Sequence, residues 1–521
     1  MKRTVSASKQ FPLVLFFILF LAFIFRFYNL RELFLFGMDA EYEAFLVRNI
    51  VNGVHFPAIG VNAADLGIYL GPIFIYLSVI PYILFFGSPM GFAVFASAIG
   101  VFTTYVMFRI VKTMFGGKAG YFASFFYAVS FLASFYDRNF WNPTLVPLLS
   151  LLICYFIYRI NLKQYRYLYF LAVAFGLSFH THLSLLIYTP LIIWIILKHW
   201  QFIGKKILIY SLLLFLSLQL PQIIFEFRHN FTNSRAVIKL LTGSQDQNTL
   251  KSSVSERGKV FLNYLGRFIW MPPSPDIFVE KGLCKELNSF KKNAYPEMIG
   301  LIFLCLIYFT FLHQKSKNEN NNPASRLVIS IFILSLIAVL FYNRNFQEYY
   351  LQYLTPFLAV ILGVVASQLW EKRKIQPYIF MFFIIYFVIN MLTLLTANNS
   401  YSYLKKKKTI KFTREILKDA PYNLEAFGDC TRFAGWRYLF EYYHHRPNSS
   451  YMDSYFGWLY QDKNETSPAE KIVLLSMIDP RSSNNSIETW QKEKISFLSR
   501  YSVITQKLID NIHVFILAPK K

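Results

Sequence analysis

The sequence predicts an all-α polytopic membrane protein that ends in a small α/β domain. Three observations carry this. Hydrophobic residues make up 55% of the 521 residues, with 56 Phe and 35 Tyr, an apolar share above that of a soluble globular chain. Many apolar runs reach the ~20 residues needed to cross ~30 Å of hydrocarbon. The net charge of +24 falls mostly in short Lys/Arg clusters between those runs, as cytoplasmic loops require. No basic motif has the spacing of a nucleic-acid reader, so nucleic acid is excluded as a partner.

The apolar segments lie at 11–28, 70–86, 91–111, 118–135, 143–160, 167–181, 183–198, 206–224, 299–313, 326–342, 350–369 and 376–396. The first follows Met1-Lys2-Arg3 without a small-residue cleavage site, so it reads as an uncleaved span rather than a signal peptide. If 70–86 crossed the membrane, the basic loops at Lys112–Lys118, Arg159–Arg166, Lys198–Lys206 and Lys372–Lys374 would all fall outside, against the positive-inside rule. If 70–86 lies along the outer surface or re-enters, these loops become cytoplasmic, together with Lys2/Arg3/Lys9 and Lys315/Lys317/Arg326. About eleven spans follow, in the cytoplasmic (plasma) membrane, with the N-terminus inside and the C-terminus outside. The outward connections are 29–90, 136–142, 225–298 and 343–349. Lys405–Lys408 directly after the last span favour the cytoplasm, but long tails translocate largely regardless of charge.

This divides the chain into a transmembrane domain, 1–396, and an extracytoplasmic domain, 397–521. The tail is polar, with β-type runs at Lys471–Met477 and Asn511–Leu517 and a helical stretch near Ile410–Leu417. Cys154 and Cys305 sit in apolar runs as small hydrophobes. Cys284 and Cys430 lie outside the spans, and nothing local argues that they pair.

Chemistry-bearing groups gather on the outward connections. Gly37-Met38-Asp39-Ala40-Glu41-Tyr42-Glu43 places three carboxylates just beyond the first span, where charge is costly unless solvated, paired or used. On a helix Asp39 and Glu43 share a face at i, i+4, and 39–52 can lie as an amphipathic interfacial helix. The same pattern describes a solvated acidic turn capping that helix. In Tyr136-Asp137-Arg138-Asn139-Phe140-Trp141-Asn142-Pro143, Arg138 could hold a phosphate while Asp137 orients it or binds metal; an interfacial helix start explains the same residues. His180 and His182 do not share a helix face, so an interfacial turn explains them better than a metal site. Arg228 and His229, where a span exits outward, could reach a lipid phosphate or simply snorkel. Arg344 and Glu348-Tyr349-Tyr350 occupy a further outer connection. The spans contain no Asp or Glu, whereas an ion-coupled transporter usually needs a mid-depth carboxylate.

Several pieces, in this order, resemble the bacterial branch of the GT-C glycosyltransferases, which includes protein O-mannosyltransferases and lipid A aminoarabinose transferases. They are Arg26-Phe27-Tyr28-Asn29-Leu30, Gly37-Met38-Asp39, Val47-Arg48-Asn49-Ile50 and Leu70-Gly71-Pro72-Ile73-Phe74-Ile75-Tyr76-Leu77. Arg138–Pro143, Gly176–His182 and Phe225–His229 follow. The resemblance runs from Leu15 to about Ala366.

It implies a GT-C fold with juxtamembrane helices in the first outer loop. It also implies transfer of a hexosyl or pentosyl group from a polyprenyl-phosphate donor to a hydroxyl of a glycan, lipid or protein acceptor, among membrane lipids on the outer face. Asp39 is implied as catalytic, with Asp137 as second acid. Glu41 stands where Ala40 interrupts the family's adjacent Asp-Glu pair. Arg138, Arg228, His229, His182 and Tyr349 are the substrate-binding candidates. Metal dependence is left open; a divalent metal ion, if bound, would use Asp39 and Asp137. Rival expectations are an O-antigen ligase or polymerase acting through Arg228 and His229, and a lipid-linked-sugar flippase.

Overall fold

The computed structural model describes residues 7–63, 67–242, 252–271, 295–307, 323–342, 344, 346–399, 401–460, 469–477 and 484–520. Cys284 and the loop residues Lys315 and Lys317 lie outside them, as does part of the 225–298 connection. Among the described residues, six helices are long and apolar enough to cross a membrane: Pro89–Phe115, Asn142–Asn161, Lys205–Arg228, Pro323–Phe341, Glu348–Trp370 and Gln376–Thr396. A bent pair, Gly117–Val129 and Phe131–Arg138, meets at 63° and adds a seventh. Shorter apolar helices at Leu13–Phe27, Ile73–Leu84, Tyr167–Ser178, Leu183–His199 and Tyr295–Ile307 stand beside them.

Ile73–Leu84 matters for topology. At 1.5 Å per residue it rises only about 18 Å, short of ~30 Å of hydrocarbon. By the charge argument this segment lies along the outer surface or re-enters, and a helix of this length is compatible with both.

After Thr396 the chain changes character. The helix Tyr403–Leu417 leads into a five-stranded sheet of β1 (Tyr422–Phe427), β2 (Ser449–Ser450), β3 (Lys471–Met477), β4 (Tyr501–Ile509) and β5 (Ile512–Pro519), ordered β2-β1-β3-β5-β4. β1 runs parallel to β2 and β3; β5 is antiparallel to β3 and β4. Six of the seven β3 residues are buried, so that strand reads as a continuous apolar run.

The tail does not hang free of the membrane domain. A single hydrophobic core joins Phe34, Phe36, Phe45 and Val47 of the first loop to Trp436, Leu439, Val473 and Val514 of the tail. Polar contacts reinforce it. The Met38 amide donates to Phe433 O at 3.0 Å, and the Tyr403 amide to Phe34 O at 3.0 Å. Asn49 Nδ2 donates to Leu459 O at 3.0 Å, and Tyr438 Oη to Gly87 O at 2.7 Å. Arg48 and Glu441 form an ion pair at 2.5 Å. Gly435 makes the close approach possible. Its φ is +73°, and a Cβ there would stand 2.9 Å from Gly37 O.

Gly435→Val should therefore both strain the left-handed backbone and push the tail off the Gly37 turn. Thermal unfolding of the purified protein in detergent should show a loss of about 1–3 kcal/mol, with faster proteolysis of the tail; an unchanged melt would contradict the docking.

Candidate active site

A cavity of about 470 Å³ lies at one end of the helix bundle. Its walls come from the start of Asn142–Asn161, the start of Leu183–His199, the end of Pro323–Phe341 and the start of Glu348–Trp370, closed by the first loop. The walls are largely apolar and aromatic, with Trp141, Ile187, Tyr342, Phe346, Tyr349 and Tyr350 among them. The helix Met38–Val51 presents Asp39 and Glu43 to it.

Of the acids in the first loop, helix geometry separates the three. Asp39 and Glu43 line the cavity. Glu41 does not. It is fully buried on the tail side, where its Oε1 accepts the Tyr438 amide at 2.8 Å. Burial pushes its carboxyl up to about 7, and the charges of Arg437 and Lys406 oppose that rise. Lys406, itself buried, donates to Phe36 O and Ala434 O, both at 2.6 Å, and burial pushes its ammonium down to about 7. The catalytic expectation for Glu41 is therefore corrected: it is a tether between the Asp39 helix and the tail.

Glu43 takes its place at the cavity. It is 0% exposed, and among the described residues neither carboxyl oxygen has a hydrogen-bond partner. Burial, then the nearby charge of Asp39, push its carboxyl well above the usual range. Two other buried polar groups on the cavity wall are likewise unpartnered, the Asn142 side-chain amide and Trp141 Nε1. Buried polar atoms are normally satisfied; three such groups around one cavity mark a place for a polar ligand. Sequence reading had Trp141 and Asn142 only as an interfacial helix start.

His182 and Tyr349 are both on the cavity wall, as substrate-binding residues would be. His182 Nδ1 accepts the Ser184 amide at 3.2 Å, capping the turn Leu183–Tyr188. Its neutral ring then carries the proton on Nε2, and burial lowers its pKa to about 4. The ring packs against Tyr349 and Tyr350 with centroids 5.5 and 5.4 Å away. His180 instead faces the first loop, where Nδ1 accepts the Ile73 amide at 3.4 Å.

Asp137 and Arg138 are elsewhere. Both are buried on the bent pair, so the expectation of apolar helices free of acid needs correcting. Asp137 pairs with Arg26 of the first helix at 2.7 Å and accepts from Tyr127 Oη at 3.2 Å. Arg26 also donates to Ala128 O at 3.0 Å. Gly100 leaves room for the pair, since a Cβ there would stand 2.6 Å from Asp137 Oδ2. A charge survives in such surroundings because it is paired. Arg138 donates to Ser134 Oγ at 2.9 Å and lies over the Phe131 ring. Arg228 and His229 are exposed at the end of Lys205–Arg228, His229 stacking on Phe225 at 4.2 Å. None of these four lines the cavity, and no Lys or Arg does among the described residues. Among those residues no group of three or more His, Cys, Asp or Glu is placed to hold a metal ion. Asp39 and Asp137, the expected pair of metal ligands, do not share the cavity, so no step below runs through a metal.

Two outcomes follow. Arg26→Met strands a buried carboxylate and should cost about 3–5 kcal/mol of stability, read as a large drop in melting temperature. Glu41→Gln keeps an acceptor for the Tyr438 amide and should retain most activity, whereas Glu41→Ala should lower the melting temperature by the equivalent of about 1–3 kcal/mol. A Glu41→Gln protein that is folded and inactive would restore the catalytic reading.

Residues 71–225 match the family model described as dolichyl-phosphate-mannose-protein mannosyltransferase. No curated protein sequence matches the chain. Among solved structures, ArnT from Cupriavidus metallidurans in the apo state is similar with a TM-score of 0.59 at 10% identity, covering 98% of each chain. The same enzyme bound to undecaprenyl phosphate gives 0.56 at 10% identity, covering 99% of this chain and 98% of that one. The archaeal oligosaccharyltransferase AglB from Archaeoglobus fulgidus, in complex with an inhibitory peptide and a dolichol-phosphate, gives 0.53 at 12% identity, covering 99% and 75%. The chain thus shares its overall fold with ArnT and with AglB, and residues 71–225 match one family model.

Proposed function

We propose that the protein transfers a sugar from a polyprenyl-phosphate donor to an acceptor hydroxyl, in the cavity beside the Asp39 helix. The observation that carries the reading is the cavity itself. It combines a carboxyl-bearing helix face with apolar, aromatic walls at the end of membrane helices, in a fold that ArnT shares in its complex with undecaprenyl phosphate. A donor with a long apolar tail and a polar head needs both kinds of surface. The positive-inside distribution of Lys and Arg supports an outward-facing position for this end of the bundle.

In the reaction the acceptor oxygen attacks the anomeric carbon. Asp39 takes the hydroxyl proton as the new C–O bond forms. The bond from that carbon to the phosphate oxygen breaks, and the polyprenyl phosphate leaves with the electron pair. A single displacement inverts the anomeric centre. General-base help of this kind is typically worth ~10²–10⁴ in rate. Arg138 and Arg228, first considered as phosphate clamps, have no place in this scheme, because neither lines the cavity. In this reading His182 Nε2–H and Tyr349, both on the cavity wall, contact the sugar or phosphate. The exposed positions of Arg228 and His229 give no support to a ligase-type mechanism built on them.

Asp39→Asn should leave the protein folded and membrane-inserted and reduce transfer by ~10²-fold or more. Purified protein incubated with a panel of polyprenyl-phospho-sugars, with mass analysis of the products, measures this. Transfer by the variant near the wild-type rate would remove Asp39 from the mechanism.

A further inference from the structure

A ligand phosphate entering this cavity meets an unusual wall. The acids Asp39 and Glu43 are one helical turn apart on it, and no Lys or Arg joins them among the described residues. Two ionised carboxylates would repel a phosphate, and among the described residues no cation lines the cavity to offset them. Yet the wall has unused hydrogen-bonding capacity, in the Asn142 amide, Trp141 Nε1 and both Glu43 oxygens. Asn142 and Trp141 carry N–H donors at any pH. Glu43 can do so only when it carries a proton, for an ionised carboxylate has nothing to donate.

We infer that Glu43 acts in this cavity as a neutral acid, donating a hydrogen bond to a phosphate oxygen of the ligand beside Asn142 and Trp141. The inference rests on the donor class proposed above. Asp39 and Glu43 thus divide their duties: one accepts a proton during transfer, the other keeps its own. Total burial supports this, since it disfavours the charged form, and the charge of Asp39 acts in the same direction.

The groups on the elements packed against this helix do not reverse it. Arg437 and Glu441 gather on the tail side with Glu41 and Arg48. Tyr76 donates to Pro57 O, and Tyr82 responds to Arg48, Tyr438 and Glu441. Across the cavity His182 is held neutral by burial. The sign follows. Glu43 donates while protonated, so phosphate binding weakens as pH rises through its elevated pKa and not as pH falls.

The test is binding of a polyprenyl phosphate to the full-length protein in detergent, with the polyprenyl alcohol and inorganic phosphate as controls for tail and head alone. Glu43→Gln supplies an N–H donor in the same place and should bind within about threefold of wild type, whereas Glu43→Ala should lose about tenfold or more. The ratio of wild-type to Glu43→Gln affinity should not climb between pH 6 and pH 9, a comparison that cancels the phosphate's own titration. Thermal melts confirm that each variant is folded. The inference is overturned if folded Glu43→Gln loses as much as Glu43→Ala, if Glu43→Ala binds like wild type, or if that ratio climbs with pH. Asp39→Asn is run in parallel. Retained sugar transfer in that variant would sink the proposed base while leaving the Glu43 result standing.

Discussion

The structure depends on one docking: the helix Met38–Val51 is held between the membrane bundle and the C-terminal tail. A helix of fourteen residues with little intrinsic amphipathicity would be marginal alone in water or at an interface. Here its first turn is fixed by Phe433 O, and Glu41 is tied to the Tyr438 amide. Arg48 and Asn49 hold its last turns. The cavity face of the helix carries Asp39 and Glu43, and the tail face carries the groups that hold them still. A catalytic carboxylate must be kept close to its working geometry, and in this protein much of that constraint comes from residues some 400 positions further along the chain.

The Arg26–Asp137 pair does for the bundle what the docking does for the first loop. It joins the first helix to the bend between Gly117–Val129 and Phe131–Arg138. That bend sets where Trp141 and Asn142 enter the cavity wall. A buried pair of this kind is weak evidence for net stability, but removal of one partner is costly, so the pair favours one arrangement over its alternatives. Glu348 and Arg267 pair in a similar way near the other side of the cavity.

Much of this was legible in the sequence, for identifiable reasons. The spans are long apolar runs, and the basic loops argued that 70–86 lies along the outer surface or re-enters. β3 and β5 were legible because both are nearly continuous apolar strands. β1, with Asn423 and Glu425 in it, and β4, an edge strand largely exposed to solvent, were not. At the site, the i, i+4 spacing put Asp39 and Glu43 on one face, and both line the cavity; Glu41, also a catalytic candidate, turns to the tail, and nothing local in the sequence reveals the Tyr438 amide that it accepts. The position of Asp137 away from the cavity was hidden in the same way. Its partner Arg26 lies 111 positions away, and an adjacent Asp–Arg pair looks like a site when neither side chain's true neighbour is known.

The departure at Ala40 then has a physical reading. Members of the resembled family carry adjacent Asp and Glu in this loop, which on a helix are about 100° apart. Here Ala40 is 2% exposed and packed into the core shared with the tail. A glutamate in its place would have to be buried among Phe36, Phe45 and Trp436. Moving the second acid to Glu43 changes that angle to about 40° and brings it back to the cavity. The chain keeps two carboxyls at the site while giving the intervening positions to the tail. Position 43, fully buried one turn below Asp39, also offers what an exposed neighbour could not, a carboxyl whose surroundings favour keeping its proton.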